Sequence, residues 1–269
     1  MVLNPFFQNI RDNTEWLYRV IFEYKWFYYD LWSFVHFWSG AMLFVLLTAF
    51  KNKNRWLTLF LILVLFEIVE SMFFIAILKL FRPEKIVDVL NDIFIGMLGG
   101  YLISCFFKWN KNRKYSQWLA VFVAAITVAF LWVGWYGYSY NIPFFNSSYI
   151  NWWALNCWTL AGVAMIVVFQ FIKQNKNIVF DITVVWIVYL ILLFAVEYIS
   201  YHFLYFREIT EGATPLIFDI VHGTPVMHVF YVTAPIYFIG LYILFSDLFR
   251  KCKNEYKYSL VSGKKYTLK

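Results

Sequence analysis

Seven apolar runs, each long enough to cross a lipid bilayer, dominate this sequence at about 28–50, 55–81, 86–107, 117–140, 150–172, 178–206 and 228–249. A helix rises ~1.5 Å per residue, so roughly 20 apolar residues cover the hydrocarbon core. Backbone N–H and C=O groups find no water there, so runs of this kind must close their hydrogen bonds within themselves, as helices. The expected fold is therefore all-α, a multi-pass transmembrane helical bundle of seven spans. Composition agrees. The chain is 62% hydrophobic and 14% charged, where a soluble domain carries about 45–50% apolar and about 25% charged residues. A soluble fold has no interior large enough to hide the difference.

The formal net charge is +7, but the basic residues lie in short clusters between the runs. Lys51, Lys53 and Arg55 separate spans one and two. Lys108, Lys111, Arg113 and Lys114 separate three and four, and Lys173 and Lys176 separate five and six. Arg250, Lys251, Lys253 and Lys257 follow span seven. With seven spans all four clusters fall on one side, so the positive-inside rule makes that side cytoplasmic and puts the N-terminus outside. The expected organisation is an amphipathic segment at 1–27 lying as an interfacial helix, a transmembrane domain at 28–249, and a basic cytoplasmic tail at 250–269. The expected location is the cell membrane and the expected partner is membrane lipid. The scattered clusters form no basic face of the kind nucleic acid requires. Cys105, Cys157 and Cys252 lack metal-type spacing.

A charge inside a bilayer costs roughly 2.5–3.5 kcal/mol on insertion scales unless it is paired or faces water, so each one is informative. Span two carries Glu67 and Glu70, three apart and hence on one helical face, and span three carries Asp88, Asn91 and Asp92. Span one holds Ser33 and His36, with Asp30 near its start. Counted along the helices, His36, Glu67, Glu70, Asp88 and Asp92 reach a similar depth in the outer half, and Arg82 lies at the entry to span three. Gly40, Gly96, Gly99 and Gly100 would let spans one to three approach closely around them.

The second half repeats the theme more loosely. Glu197 and His202 lie at the outer end of span six, and a long connection carries Glu208, Glu211, Asp219 and His222 before His228 opens span seven. Imidazole and carboxylate suit zinc and similar ions, so Asp219, His222 and His228 are candidate ligands for a divalent metal. Solvated loop residues and interfacial histidines are the alternative. The spacing matches no known zinc motif.

The first hundred residues resemble the YjdF-like and VanZ-like families of small bacterial membrane proteins. The matching pieces are Asp30, His36 and Gly40 in DLWSFVHFWSG, Glu67 and Glu70 in FEIVES, and Asp88, Asp92 and Gly96 in DVLNDIFIGMLGG. Arg82 and Asn91 suit the VanZ-like version of this order. The resemblance implies a bacterial-type cell membrane and an envelope-related role. The chain also resembles alkaline-ceramidase-type membrane hydrolases, which have seven spans and hold zinc with Ser, His and Asp. Ser33 and His36 fit that pattern, whereas the family's closely spaced C-terminal histidine pair is absent.

Three functional expectations follow. The first is an outward-opening polar site that binds or modifies an amphipathic lipid or lipid-linked envelope substrate. In it His36, Glu67 and Glu70 act as acid/base groups, and Arg82, Asp88, Asn91, Asp92, Glu197 and His202 contact the substrate. A metal-dependent hydrolase is the enzymatic form. The second is a proton- or cation-coupled transporter using the same acids. In the third, the acids only pair with His36 and Arg82 to lock helices together.

Overall fold

The computed structural model describes residues 5–25, 27–83, 85–109, 113–147, 149–173, 177–206, 214–216 and 220–261. Seven of its helices are long and apolar enough to cross a membrane, and the chain is a multi-pass integral membrane protein. The helices fall into two units, 1–117 with 247–269 and 118–246.

The first unit opens with helix α1 (Pro5–Thr14) and a 3-10 turn (Glu15–Tyr18). The antiparallel strands β1 (Val20–Tyr24) and β2 (Phe27–Asp30) come next. The segment before span one is thus helical only over its first part, and a hairpin occupies the rest. Alternation is blurred there because apolar and aromatic residues run on consecutively, broken only by Glu23, Lys25 and Asp30, so the period-2 signal of a strand is lost. Span one, α2 (Leu31–Ala49), begins where Asp30 caps it: the carboxylate accepts the Ser33 N–H at 2.7 Å and the Ser33 hydroxyl at 3.0 Å. Span two is α3 (Arg55–Val69), which widens into a π-helix over Glu70–Ile77. Span three is α4 (Ile86–Trp109).

Glycine brings α2 and α4 together. A Cβ at Gly40 would collide with the Gly96 carbonyl oxygen, and one at Gly99 with the Phe37 carbonyl. Close backbone approach of this kind replaces the hydrophobic drive that lipid removes. Span two packs on this pair through a narrow stripe. Its buried residues are Leu59, Leu63, Glu67 and Glu70, while Leu57, Phe60, Leu61, Leu65, Ile68 and Val69 are exposed. Two of the four buried positions are therefore carboxylic acids.

The second unit holds most of α5 (Arg113–Tyr136), then α6 (Trp152–Ile172), α7 (Ile178–His202), the short ribbon β3 (Thr214–Leu216) and β4 (Val221–Gly223), and the first part of α8 (Pro225–Val261). Gly137, at φ +71°, takes the left-handed conformation that ends α5. Asn151 and Asn177 cap α6 and α7. The core is dense with small and aromatic residues. Trp132 stacks on Phe230 at 3.9 Å, and the Tyr138 hydroxyl accepts from Trp132 Nε1 at 2.7 Å and Trp158 Nε1 at 3.0 Å. Pro235 interrupts the hydrogen-bond ladder of α8, and Trp186 Nε1 donates to the nearby Val232 carbonyl at 2.6 Å. The last helix runs on through Val261, into the stretch expected as a basic tail. Cys252 is fully buried on it beside Thr48.

Candidate functional site

The helical faces of the first unit converge on one buried imidazole. His36 is 4% exposed, with Glu67 at 3%, Glu70 at 0% and Asp92 at 6%. His36 Nδ1 lies 3.6 Å from Glu67 Oε1, and His36 Nε2 lies 3.8 Å from Asp92 Oδ2. The ring is therefore held between an acid of span two and an acid of span three. Trp32 meets it edge-on at 5.6 Å and Phe66 at 5.9 Å. These aromatic neighbours lower the polarity around the ring, which strengthens charge interactions there. His36, Glu67 and Glu70 offer one ligand atom each, all within 4.8 Å of one another, a set able to hold a metal ion.

Beside this cluster a chain of groups leads toward the start of α2. The Ser33 hydroxyl lies 3.0 Å from Asp30 Oδ1 and 3.4 Å from Asp92 Oδ1. It has one proton to donate, so the two carboxylates can both bond it fully when one of them is protonated. Burial pushes the Asp30 carboxyl above its ordinary range, against the pull of the Ser33 hydrogen bonds. Burial, then the charges of Asp30, Asp88, Glu23 and Asp92, raise the Tyr28 phenol as well.

These groups line a pocket of about 430 Å³. Ser33, Asp30, Asp88, Asn91 and Asp92 supply its acidic and polar wall, and Lys25, Arg82 and Lys85 its cations. Tyr18, Glu23 and Tyr28 belong to the unforeseen hairpin region and were not legible as site residues. Asn91 Nδ2 donates to the Tyr28 carbonyl at 2.6 Å, and so ties that region to α4. Asp88 accepts from the Lys85 N–H at 3.2 Å. Arg82 pairs with Glu15 and lies over the Tyr18 ring at 5.3 Å. Of the candidate residues, His36, Glu67, Glu70 and Asp92 come together, while Arg82, Asp88 and Asn91 line the pocket beside Asp92.

The second-half candidates lie in the second unit. Glu197 is buried and lines an apolar pocket of about 620 Å³ between α6 and α7, with Tyr189 and Tyr231. His202 ends α7, its ring 4.6 Å from that of Tyr198. His222 is buried in β4, where its carbonyl accepts from the Tyr201 hydroxyl at 3.2 Å. The His228 side chain hydrogen-bonds the Val221 backbone. Asp219 lies outside the described residues. Asp181 is also buried, in the first turn of α7, and no sequence signal sets it apart. An acid so near a span end looks like a solvated helix N-terminus.

Comparison with family models, with curated proteins and with solved structures returned no match.

Proposed function

We propose that the first three spans form an outward-opening site that binds or modifies the polar head of an amphipathic lipid or lipid-linked envelope substrate. The observation that carries this reading is the placement of His36 between Glu67 and Asp92, with Asp92 also lining the pocket. The outward direction is taken from the one-sided basic loops, and the envelope role from the resemblance of the first hundred residues. Lys25, Arg82 and Lys85 suit an anionic head group, and Tyr18, Tyr28 and Trp32 suit the membrane interface. In metal-free protein His36 is the group placed to exchange a proton, since it stands between the carboxylates of Glu67 and Asp92.

The test uses the full chain in vesicles supplied with phosphatidylglycerol, phosphatidylethanolamine and a polyprenyl phosphate, with products and retained lipids read by mass spectrometry. Conversion of one probe, reduced roughly 100-fold or more in His36→Ala, supports the reading. Folded protein that neither converts nor retains any of the three counts against it.

A second reading rests on the run of groups Asp30, Ser33, Asp92, His36 and Glu67, which links the pocket to the buried acids. Such a chain also suits a proton- or cation-coupled transporter. Proton uptake by vesicles that disappears in Asp92→Asn, without conversion of any lipid, favours transport.

A further inference from the structure

We propose that His36 Nδ1, Glu67 and Glu70 hold a divalent transition-metal ion, and that Asp92 orients the imidazole from its other nitrogen. This rests on the same buried cluster as the proposed substrate site, but not on the identity of any substrate.

Distance is the first argument. At 3.6 Å, His36 Nδ1 and Glu67 Oε1 are too far apart for a hydrogen bond between them. Two ligands sharing a tetrahedral ion at ~2.1 Å each stand about 3.4 Å apart. The observed separation is close to that ligand–ligand spacing. The full set, within 4.8 Å, closes to that geometry with small side-chain rotations.

Charge is the second argument. The ligands themselves, two ionised glutamates and a neutral imidazole, carry a charge of −2, which a divalent ion cancels; the site as a whole is neutral when Asp92 holds the proton it can share with Asp30 through Ser33. A neutral site is what a buried position in a bilayer tolerates. A monovalent ion would leave one net charge behind. The nitrogen ligand selects against calcium and magnesium, which prefer oxygen alone, and in favour of zinc, iron(II), manganese(II) or cobalt(II).

The third argument comes from the far side of the ring. His36 is more than nine-tenths buried, and its Nε2 has no hydrogen-bond partner within range, with Asp92 Oδ2 at 3.8 Å. Histidines that bind metal through one nitrogen usually direct the other N–H to a carboxylate, which fixes the tautomer and raises ligand basicity. Asp92 stands where that carboxylate belongs, and Ser33 and Asp30 extend the support to the cap of α2. The widening of span two begins at Glu70, and π-helical turns often mark functional sites.

The experiment uses the full-length protein in detergent, stripped with EDTA and reloaded with zinc alone or cobalt(II) alone. Metal is counted by elemental mass spectrometry, and the cobalt protein is read by visible absorption. The expected result is about one ion per chain, with a cobalt spectrum of nitrogen and oxygen ligation and no thiolate charge-transfer band. His36→Ala and Glu70→Gln should each retain less than a tenth of the wild-type metal. Asp92→Asn should bind the same ion roughly 10–100-fold more weakly, and Glu70→Asp should recover part of the loss. Monodisperse elution of each variant guards against misfolding, and the wild-type spectrum needs no variant. Three results overturn the proposal: wild-type protein that cannot be loaded, a thiolate band placing the ion on cysteine, or undiminished metal in both His36→Ala and Glu70→Gln. His36-dependent lipid conversion by metal-free protein defeats this inference and leaves the proposed function standing. Loaded protein that neither converts nor retains lipid does the reverse.

Discussion

Gly40 of α2 and Gly96 of α4 meet backbone to backbone, with no room for a Cβ at Gly40 beside the Gly96 carbonyl. Each lies one turn beyond a site residue, Gly40 after His36 and Gly96 after Asp92. The close approach of the helices therefore sets the distance between those two side chains. Gly40→Ala is expected to force the helices apart and to cost about 1–3 kcal/mol, the usual range for overpacking. A lower melting temperature in detergent checks this. An unchanged one would mean that the helices do not rely on this contact.

Asp30 joins the start of span one to its site. Asp30→Ala removes a capping box and should cost about 1 kcal/mol, whereas Asp30→Asn keeps an acceptor and most of the cap. The two also differ in pH response. Burial raises the folded carboxyl above its unfolded value of 3.8, so the folded state holds the proton more tightly. This contribution to stability is full below pH 3.8. It is lost as pH rises through the folded value, and is constant above that. Asp30→Asn should abolish this decline, so its melting temperature relative to wild type should rise with pH across that window. A constant difference would show that Asp30 titrates alike in both states.

The spans were legible because hydrocarbon leaves a sequence few choices, and the convergence of His36, Glu67, Glu70 and Asp92 followed from the same physics, although Asp88, expected at the same depth, lines the pocket beside Asp92 instead. An ionisable group within a span has to face inward, and helical spacing then assigns its neighbours. Glycines at Gly40, Gly96 and Gly99 pointed to the packing that joins them. The hairpin over Val20–Asp30 was not legible, because its aromatic residues conceal strand alternation and no Asn-Gly or Asp-Gly pair marks the turn between its two strands. The pocket wall formed by Tyr18, Glu23 and Lys25 was hidden with it. The burial of Tyr189 within α7 was not legible either, since nothing in the sequence distinguishes a buried phenol from a lipid-facing one.

Tyr138 anchors the second unit by accepting from two indoles, Trp132 and Trp158. Tyr138→Phe preserves shape but leaves both indole N–H groups without that acceptor. Each such loss costs about 1–3 kcal/mol in a buried setting. The expected outcome is a marked drop in thermal stability with retained helix content by circular dichroism. A change within error would mean that the indoles find other acceptors.

Topology can be checked with single cysteines placed in a chain lacking Cys105, Cys157 and Cys252. Under the positive-inside assignment, Ser147→Cys reacts with an impermeant maleimide added to intact cells, and Lys53→Cys reacts only after the membrane is opened. Labelling of Lys53→Cys from outside would invert the orientation, and with it the direction in which the pocket opens.

The buried stripe of span two separates a functional role for its acids from a purely structural one. Leu59, Leu63, Glu67 and Glu70 face the same way, so leucine at position 70 continues the stripe in its own chemistry. If Glu70 serves to lock helices together, Glu70→Leu breaks a buried polar contact and should destabilise by about 3–5 kcal/mol. If it serves a ligand, its burial is a cost carried for function, and removal should hold or raise stability. The second outcome is expected: in EDTA, Glu70→Leu should melt no lower than wild type, while added zinc should raise the melting temperature of wild type alone. The comparison with EDTA matters because a bound ion stabilises the folded state by mass action and would otherwise mask the burial cost. A large fall in the melting temperature of Glu70→Leu without metal, together with no zinc response in wild type, would assign the acids to helix pairing.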